Sequence, residues 1–189
     1  MTQLTLTDKI LSRTILPLIP RFVTPNSITW FRFATIPFVG YLLFTEQYIA
    51  GLILFFFSSF SDAVDGSLAR SRNLVTEWGK TFDPLADKIL ISVSAFILVS
   101  RFLSAYLAVT IVFLEFFIVA SAYYRKRTYG IPIEAELSGK IKMVLQSFGV
   151  GSILVGVVFK ADPFFTVAYY LLYLAIVFAI ISLVVYKSI

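Results

Sequence analysis

The chain is predicted to be an all-α polytopic membrane protein, six transmembrane helices preceded by an N-terminal interfacial amphipathic helix. Three observations predict this. Hydrophobic residues fill 59% of the 189 positions and charged residues only 14%, with 20 Phe. Six apolar runs each approach the roughly 20 residues a helix needs to cross a bilayer. Lys and Arg collect in alternate connections instead of spreading evenly.

The elements follow in order. Over Met1–Arg21, Leu4, Leu11, Ile15, Leu18 and Ile19 share one helical face opposite Lys9 and Arg13, which describes a helix lying in the membrane interface. Asp8 falls near the apolar face and Pro17 interrupts the pattern. The same stretch lacks the long apolar core of a cleavable signal peptide. The six spans are drawn at Ser27–Phe44, Ile49–Arg70, Phe82–Leu103, Tyr106–Tyr124, Ile141–Phe159 and Pro163–Tyr186. Thr24-Pro25 opens the first, with Thr as N-cap and Pro at the first helical position. No internal repeat or separate soluble region is visible, so residues 1–189 read as one membrane domain with residues 1–22 as its arm.

Basic residues orient the spans. Lys9, Arg13 and Arg21 lie in the arm; Arg70, Arg72 and Lys80 surround the second connection. Arg125, Lys126, Arg127, Lys140 and Lys142 surround the fourth. Only Arg101 and Lys160 stand on the other side. Both termini and the facing ends of spans two and three are therefore expected in the cytoplasm. In so apolar a chain the net charge of +5 reads as topology and contact with the lipid bilayer, not nucleic-acid binding.

Absent residue types narrow the chemistry. With no Cys there is neither disulfide nor thiolate chemistry. With no His, imidazole bases are excluded and a zinc site is disfavoured. A general base must be a carboxylate, Lys or Tyr.

Four aspartates carry the chemistry. Asp62 and Asp65 are three apart, Asp83 and Asp87 four apart, so each pair shares a helix face one turn apart. The first pair ends one apolar run and the second opens the next, which puts all four carboxylates at one membrane depth. Such a set repels itself unless cations sit among it. Oxygen-only ligation suits Mg²⁺ or Mn²⁺, and two ions are the natural filling. Gly66 and Ala69 follow Asp62 at i+4 and i+7, so the acidic face lacks bulk and lets a ligand approach the backbone. Arg70 adds a cation with a fork suited to phosphate. Together these describe a pyrophosphate site.

The run Asp62-x2-Asp65-Gly66-x2-Ala69-Arg70-x8-Gly79-x3-Asp83-x3-Asp87 resembles, position for position, the signature of the CDP-alcohol phosphatidyltransferase family. The resemblance implies transfer of a phosphatidyl group from CDP-diacylglycerol to an acceptor hydroxyl, with release of CMP. It implies Asp62, Asp65 and Asp83 as metal ligands, with Asp87 as the base that also touches the second metal. Pro25-Asn26-x2-Thr29-x2-Arg32 is similar to the opening of the family's first helix, where such residues border the nucleotide. Asn26, Thr29, Gly66, Ala69, Arg70 and Gly79 are accordingly expected around the donor. Arg32 by itself reads equally well as an Arg snorkelling to the interface.

Arg125, Lys140 and Lys142 form a cationic group on the side of the aspartates. Members with a phosphorylated acceptor place such residues where its phosphate binds. Gly79-Lys80-x2-Asp83-Pro84-x-Ala86-Asp87-Lys88 and Gly139-Lys140-Ile141-Lys142 look like the versions in the branch that uses sn-glycerol 3-phosphate. Leu114 and Ala122 depart from that branch, which carries Arg there, while Arg125 and Arg127 resemble the branch using inositol phosphate. Glu115, mid-way along span four, either faces the acceptor or pairs with a cation. The resemblance implies a homodimer, although six apolar spans suit a monomer equally. The rival from another class is a cation-binding membrane transporter, which intramembrane acids permit but Gly66-Ala69-Arg70 does not explain.

Overall fold

Helices form wherever the apolar runs are long, because a backbone without water must satisfy its own hydrogen bonds. The computed structural model describes residues 13–20, 23–72, 74, 76–129 and 137–187. Among these, six α-helices follow a short 3-10 turn at Leu16–Leu18: α1 Pro25–Phe44, α2 Tyr48–Ser71, α3 Glu77–Phe102, α4 Ala105–Tyr129, α5 Leu137–Phe159 and α6 Pro163–Lys187. The described residues contain no strand. Five of the helices, all but α3, are long and apolar enough to cross a membrane. The exception has a physical cause. Glu77, Lys80, Asp83, Asp87 and Lys88 fill its N-terminal half, leaving a short apolar stretch from Ile89 to Ser100.

Most of the arm expected as an interfacial helix lies outside the described residues. Its visible end packs Leu16 against Val64 and Leu68 of α2, with Ile15, Ile19 and Ile28 around them. Arg72 fastens this end by donating to the carbonyls of Ile19 at 3.0 Å and Val23 at 3.3 Å.

The chain divides into two compact units, residues 1–90 and 91–189. In the first, α1 begins as expected, with Thr24 as N-cap and Pro25 in the first turn. Ser27 completes a capping box: Thr24 Oγ1 accepts from the Ser27 amide and Ser27 Oγ from the Thr24 amide. α1 and α2 pack as a hairpin whose turn is closed by Glu46 in the left-handed region, φ 64°. Gly51 permits their close approach, since a Cβ there would lie 2.7 Å from Leu43 Cδ2. Deeper in the pair, the hydroxyls of Thr35 and Ser58 bond at 2.9 Å, both buried.

In the second unit, α6 packs against both α5 and α4. Ala168, Leu172, Ala175 and Ala179 line one buried face of α6 at i, i+4, i+7 and i+11. Gly149 of α5 sits against Leu172 so tightly that a Cβ would come within 2.8 Å of it. Near the turn Lys160 adopts φ 53°, reversing the chain between α5 and α6.

Candidate functional site

The acids gather in the first unit because α1 supplies polar groups on the face that meets α2 and α3. Arg32 is fully buried, 0% exposed. Its Nη1 donates to Asp62 Oδ1 at 2.8 Å and its Nη2 to Asp65 Oδ2 at 2.6 Å. Nη1 also reaches the Asp83 carbonyl, and Nε reaches Ser61 Oγ, both at 3.4 Å. One guanidinium therefore joins α1 to both acids of α2 and to the backbone of α3. This decides the role left open for Arg32: it is a counter-ion in the acidic site and does not snorkel.

One turn earlier, Thr29 Oγ1 donates to Asp83 Oδ1 at 2.6 Å, and this side chain too is buried. Thr29 was expected beside the donor nucleotide; here its hydroxyl is directed to an acid. Asp62 keeps nearly half its side chain exposed, whereas Asp65 is 2% exposed. Asp87 lies one turn beyond Asp83 on α3 and is half-buried.

Around Gly79 the environment is all oxygen. Thr76 Oγ1 accepts from the Gly79 amide at 3.0 Å, as an N-cap does, and donates to Asn26 Oδ1 at 3.0 Å. A Cβ on Gly79 would stand 3.2 Å from Asp83 Oδ2, 3.2 Å from Thr76 Oγ1 and 3.6 Å from Asn26 Oδ1. Asn26 and Gly79, far apart in sequence, thus share one wall. On α2, the Arg70 guanidinium lies over Gly66, whose Cβ would be 3.3 Å from Nη1. The absent side chain lets a cation rest against the helix about one turn from Asp62. Ala69 lies half-buried beside Arg70 in sequence.

The fit of this set to a hard divalent cation follows from its donors. Among the described residues no three acids close on one point as a ready ligand set; a guanidinium bridges two of them instead. Asp62, Asp65 and Asp83 each commit one oxygen to α1, and among the described residues no further hydrogen bond takes the other. Carboxylate oxygens without Cys or His are the donors Mg²⁺ and Mn²⁺ prefer. The residues suit such an ion.

The second unit sets two of the three expected cations apart. Lys140 is exposed in the first turn of α5, whereas Lys142, about 200° further round, is 1% exposed and ion-paired with Glu115 of α4. Glu115 therefore pairs with a cation, one of the two readings its position allowed. Its Oε2 is buried with no hydrogen-bond partner among the described residues. Arg125 lies near the end of α4, and its side chain is not among those described.

Known proteins resemble the chain over most of its length. The pattern of the CDP-alcohol phosphatidyltransferase family matches residues 22–181. A CDP-diacylglycerol--glycerol-3-phosphate 3-phosphatidyltransferase of Bacillus subtilis (strain 168) is 37% identical over 149 aligned residues, covering 70% of this chain and 77% of the relative. An enzyme of the same name from Rickettsia typhi is 29% identical over 135 residues, covering 70% of this chain and 76% of the relative. A cardiolipin synthase (CMP-forming) / mitochondrial hydrolase fusion protein of Schizosaccharomyces pombe is 37% identical over 71 residues, covering 38% of this chain and 12% of the relative. With most of its length matched, and the acids and glycines of the signature carried on α2 and α3, the chain belongs to the CDP-alcohol phosphatidyltransferase family.

Proposed function

We propose that this protein transfers the phosphatidyl group of CDP-diacylglycerol to sn-glycerol 3-phosphate, giving phosphatidylglycerophosphate and CMP. One observation carries the reading: residues 22–181 match the family, and a 37% identical relative covering 70% of the chain bears that activity as its name. Two Mg²⁺ or Mn²⁺ ions would be held by Asp62, Asp65, Asp83 and Asp87. Bound there, they supply neutralisation of the pyrophosphate and stabilisation of charge on the transferred phosphoryl and the leaving CMP.

The chain's own residues do the rest. Gly66, Ala69 and Gly79 keep bulk away from the donor, and Asn26 lines the same wall. Arg70 offers its fork to the donor phosphates. A carboxylate oxygen of Asp87 takes the acceptor hydroxyl's proton as the hydroxyl oxygen bonds to the phosphatidyl phosphorus. The pyrophosphate P–O bond breaks and its electrons leave with CMP. Arg125 and Lys142 take the acceptor's phosphate, Lys142 exchanging Glu115 for it, while Lys140, about 200° round the helix, stands apart from that contact. A second acceptor, an inositol phosphate, is favoured by Arg125 and Arg127 with Leu114 and Ala122 in span four.

The topology belongs to the same proposal. The charged half of α3 lies at the cytoplasmic surface and completes a sixth span, with both termini on that side and the active site open to cytoplasmic substrates. The arm lies in the interface, the whole chain acts as one membrane domain, and two copies associate as a homodimer. The test is purified protein with CDP-diacylglycerol, Mg²⁺ and a panel of alcohols, with the lipid product identified by mass. Phosphatidylglycerophosphate is expected with sn-glycerol 3-phosphate; product from an uncharged alcohol alone would reject the phosphorylated acceptor.

A further inference from the structure

We propose that Arg32 and Thr29 are positioning residues for the divalent-cation site. From one face of α1 they hold one oxygen of each of Asp62, Asp65 and Asp83, leaving the second oxygen of each for the ion. The inference rests on the metal reading above and goes beyond it by giving α1, which contributes no carboxylate, control of the ligand geometry.

Three observations carry it. The bonds are one per carboxylate: Arg32 Nη1 to Asp62 Oδ1, Arg32 Nη2 to Asp65 Oδ2, and Thr29 Oγ1 to Asp83 Oδ1. Both donors are buried, at 0% and 1% exposure, so water cannot substitute for either. Arg32 is itself anchored, through the Asp83 carbonyl and Ser61 Oγ, independently of the two carboxylates. A planar fork fixed in this way sets the rotation of two acids one turn apart on α2, which a flexible ammonium could not do. Hydrogen bonds that orient ligating carboxylates contribute strongly to metal affinity.

The opposite role is also chemically simple. A guanidinium among acids could be a stand-in cation, displaced when a metal enters. The two roles differ in sign. Removing a competitor tightens metal binding, whereas removing an orienting group weakens it. Ejecting a buried guanidinium would also leave a charge to be solvated or paired elsewhere, which opposes its displacement.

The test measures Mn²⁺ binding to the full-length protein in detergent by electron paramagnetic resonance, without substrate. Arg32→Lys keeps the charge and loses the fork; Thr29→Val keeps the shape and loses the O–H. Thermal unfolding in EDTA verifies that each variant is folded. Each is expected to bind Mn²⁺ about 10–100-fold more weakly than wild type. Equal or tighter binding by folded Arg32→Lys overturns the proposal. If that variant does not fold, unchanged binding by Thr29→Val overturns it instead. Wild-type protein that binds no Mn²⁺ would sink the metal reading itself, a different result from variants that bind normally.

Discussion

Replacing Lys142 by Ala should destabilise the protein before it reveals anything about the acceptor. Lys142 is 2% exposed in its side chain and Glu115 10%, and the two are ion-paired. Glu115 Oε2 already has no hydrogen-bond partner among the described residues, so removing the ammonium strands the whole carboxylate. Breaking a buried pair by deleting one partner costs about 3–5 kcal/mol, whereas replacing both by uncharged groups of similar size is often neutral or stabilising. Lys142→Ala is therefore expected to lose about that much, and Glu115→Gln with Lys142→Met to recover most of it. The assay is thermal and denaturant unfolding in detergent, followed by separate titrations of the two substrates on the folded double variant. A KM for sn-glycerol 3-phosphate raised at least tenfold, with that for CDP-diacylglycerol unchanged, is the expected signature of a lost phosphate contact. Wild-type stability in Lys142→Ala would refute the buried-pair argument. A normal KM in the double variant would remove Lys142 from the acceptor site.

Other expectations concern the acids and the glycines. Asn in place of Asp62, Asp65, Asp83 or Asp87 should each remove most CMP release while the protein stays folded; near-normal turnover in any one would remove that residue from the site. Gly66→Leu should displace the Arg70 guanidinium, whose Nη1 would lie 3.3 Å from the new Cβ, and weaken CDP-diacylglycerol binding at least tenfold. Unaltered donor binding would leave that glycine a packing role only. Gly149→Ala should cost about 1–3 kcal/mol in unfolding experiments, because Leu172 Cγ and Cδ2 would lie within 2.9 Å of the added carbon. Gly151→Ala, with nothing within 4 Å, should be neutral or gain up to about 1 kcal/mol, and equal effects at the two positions would contradict the packing argument.

The helices were legible in the sequence because hydropathy is a local signal, and a backbone in lipid has few alternatives to helix. The boundaries of α2 and α5 moved only by a turn or less, and Thr24-Pro25 opened α1 as its chemistry requires. The acid pairs were legible for the same reason: spacings of three and four report a shared face. Non-local pairing was not. Arg32 meets Asp62 and Asp65 across about thirty positions, and its own place in the apolar run suits a buried counter-ion and a snorkelling side chain alike. A small clue existed, since Thr29 and Arg32 at i and i+3 put two donors on one face of an apolar helix. Glu115 posed the same difficulty, its partner lying on another helix. Lys140 and Lys142 show the converse: two positions apart in sequence, they stand about 200° apart round α5, one exposed and one buried.

Metal-dependent CMP release is the sharpest test of the reading that these acids hold a catalytic cation. Purified protein is given CDP-diacylglycerol and sn-glycerol 3-phosphate, stripped with EDTA, and then titrated with Mg²⁺ or Mn²⁺. With such a cation, no CMP is expected after stripping, activity recovers as metal is returned, and one phosphatidylglycerophosphate forms for each CMP released. CMP release that persists in EDTA, or recovers with metal but without a matching lipid product, would contradict that reading.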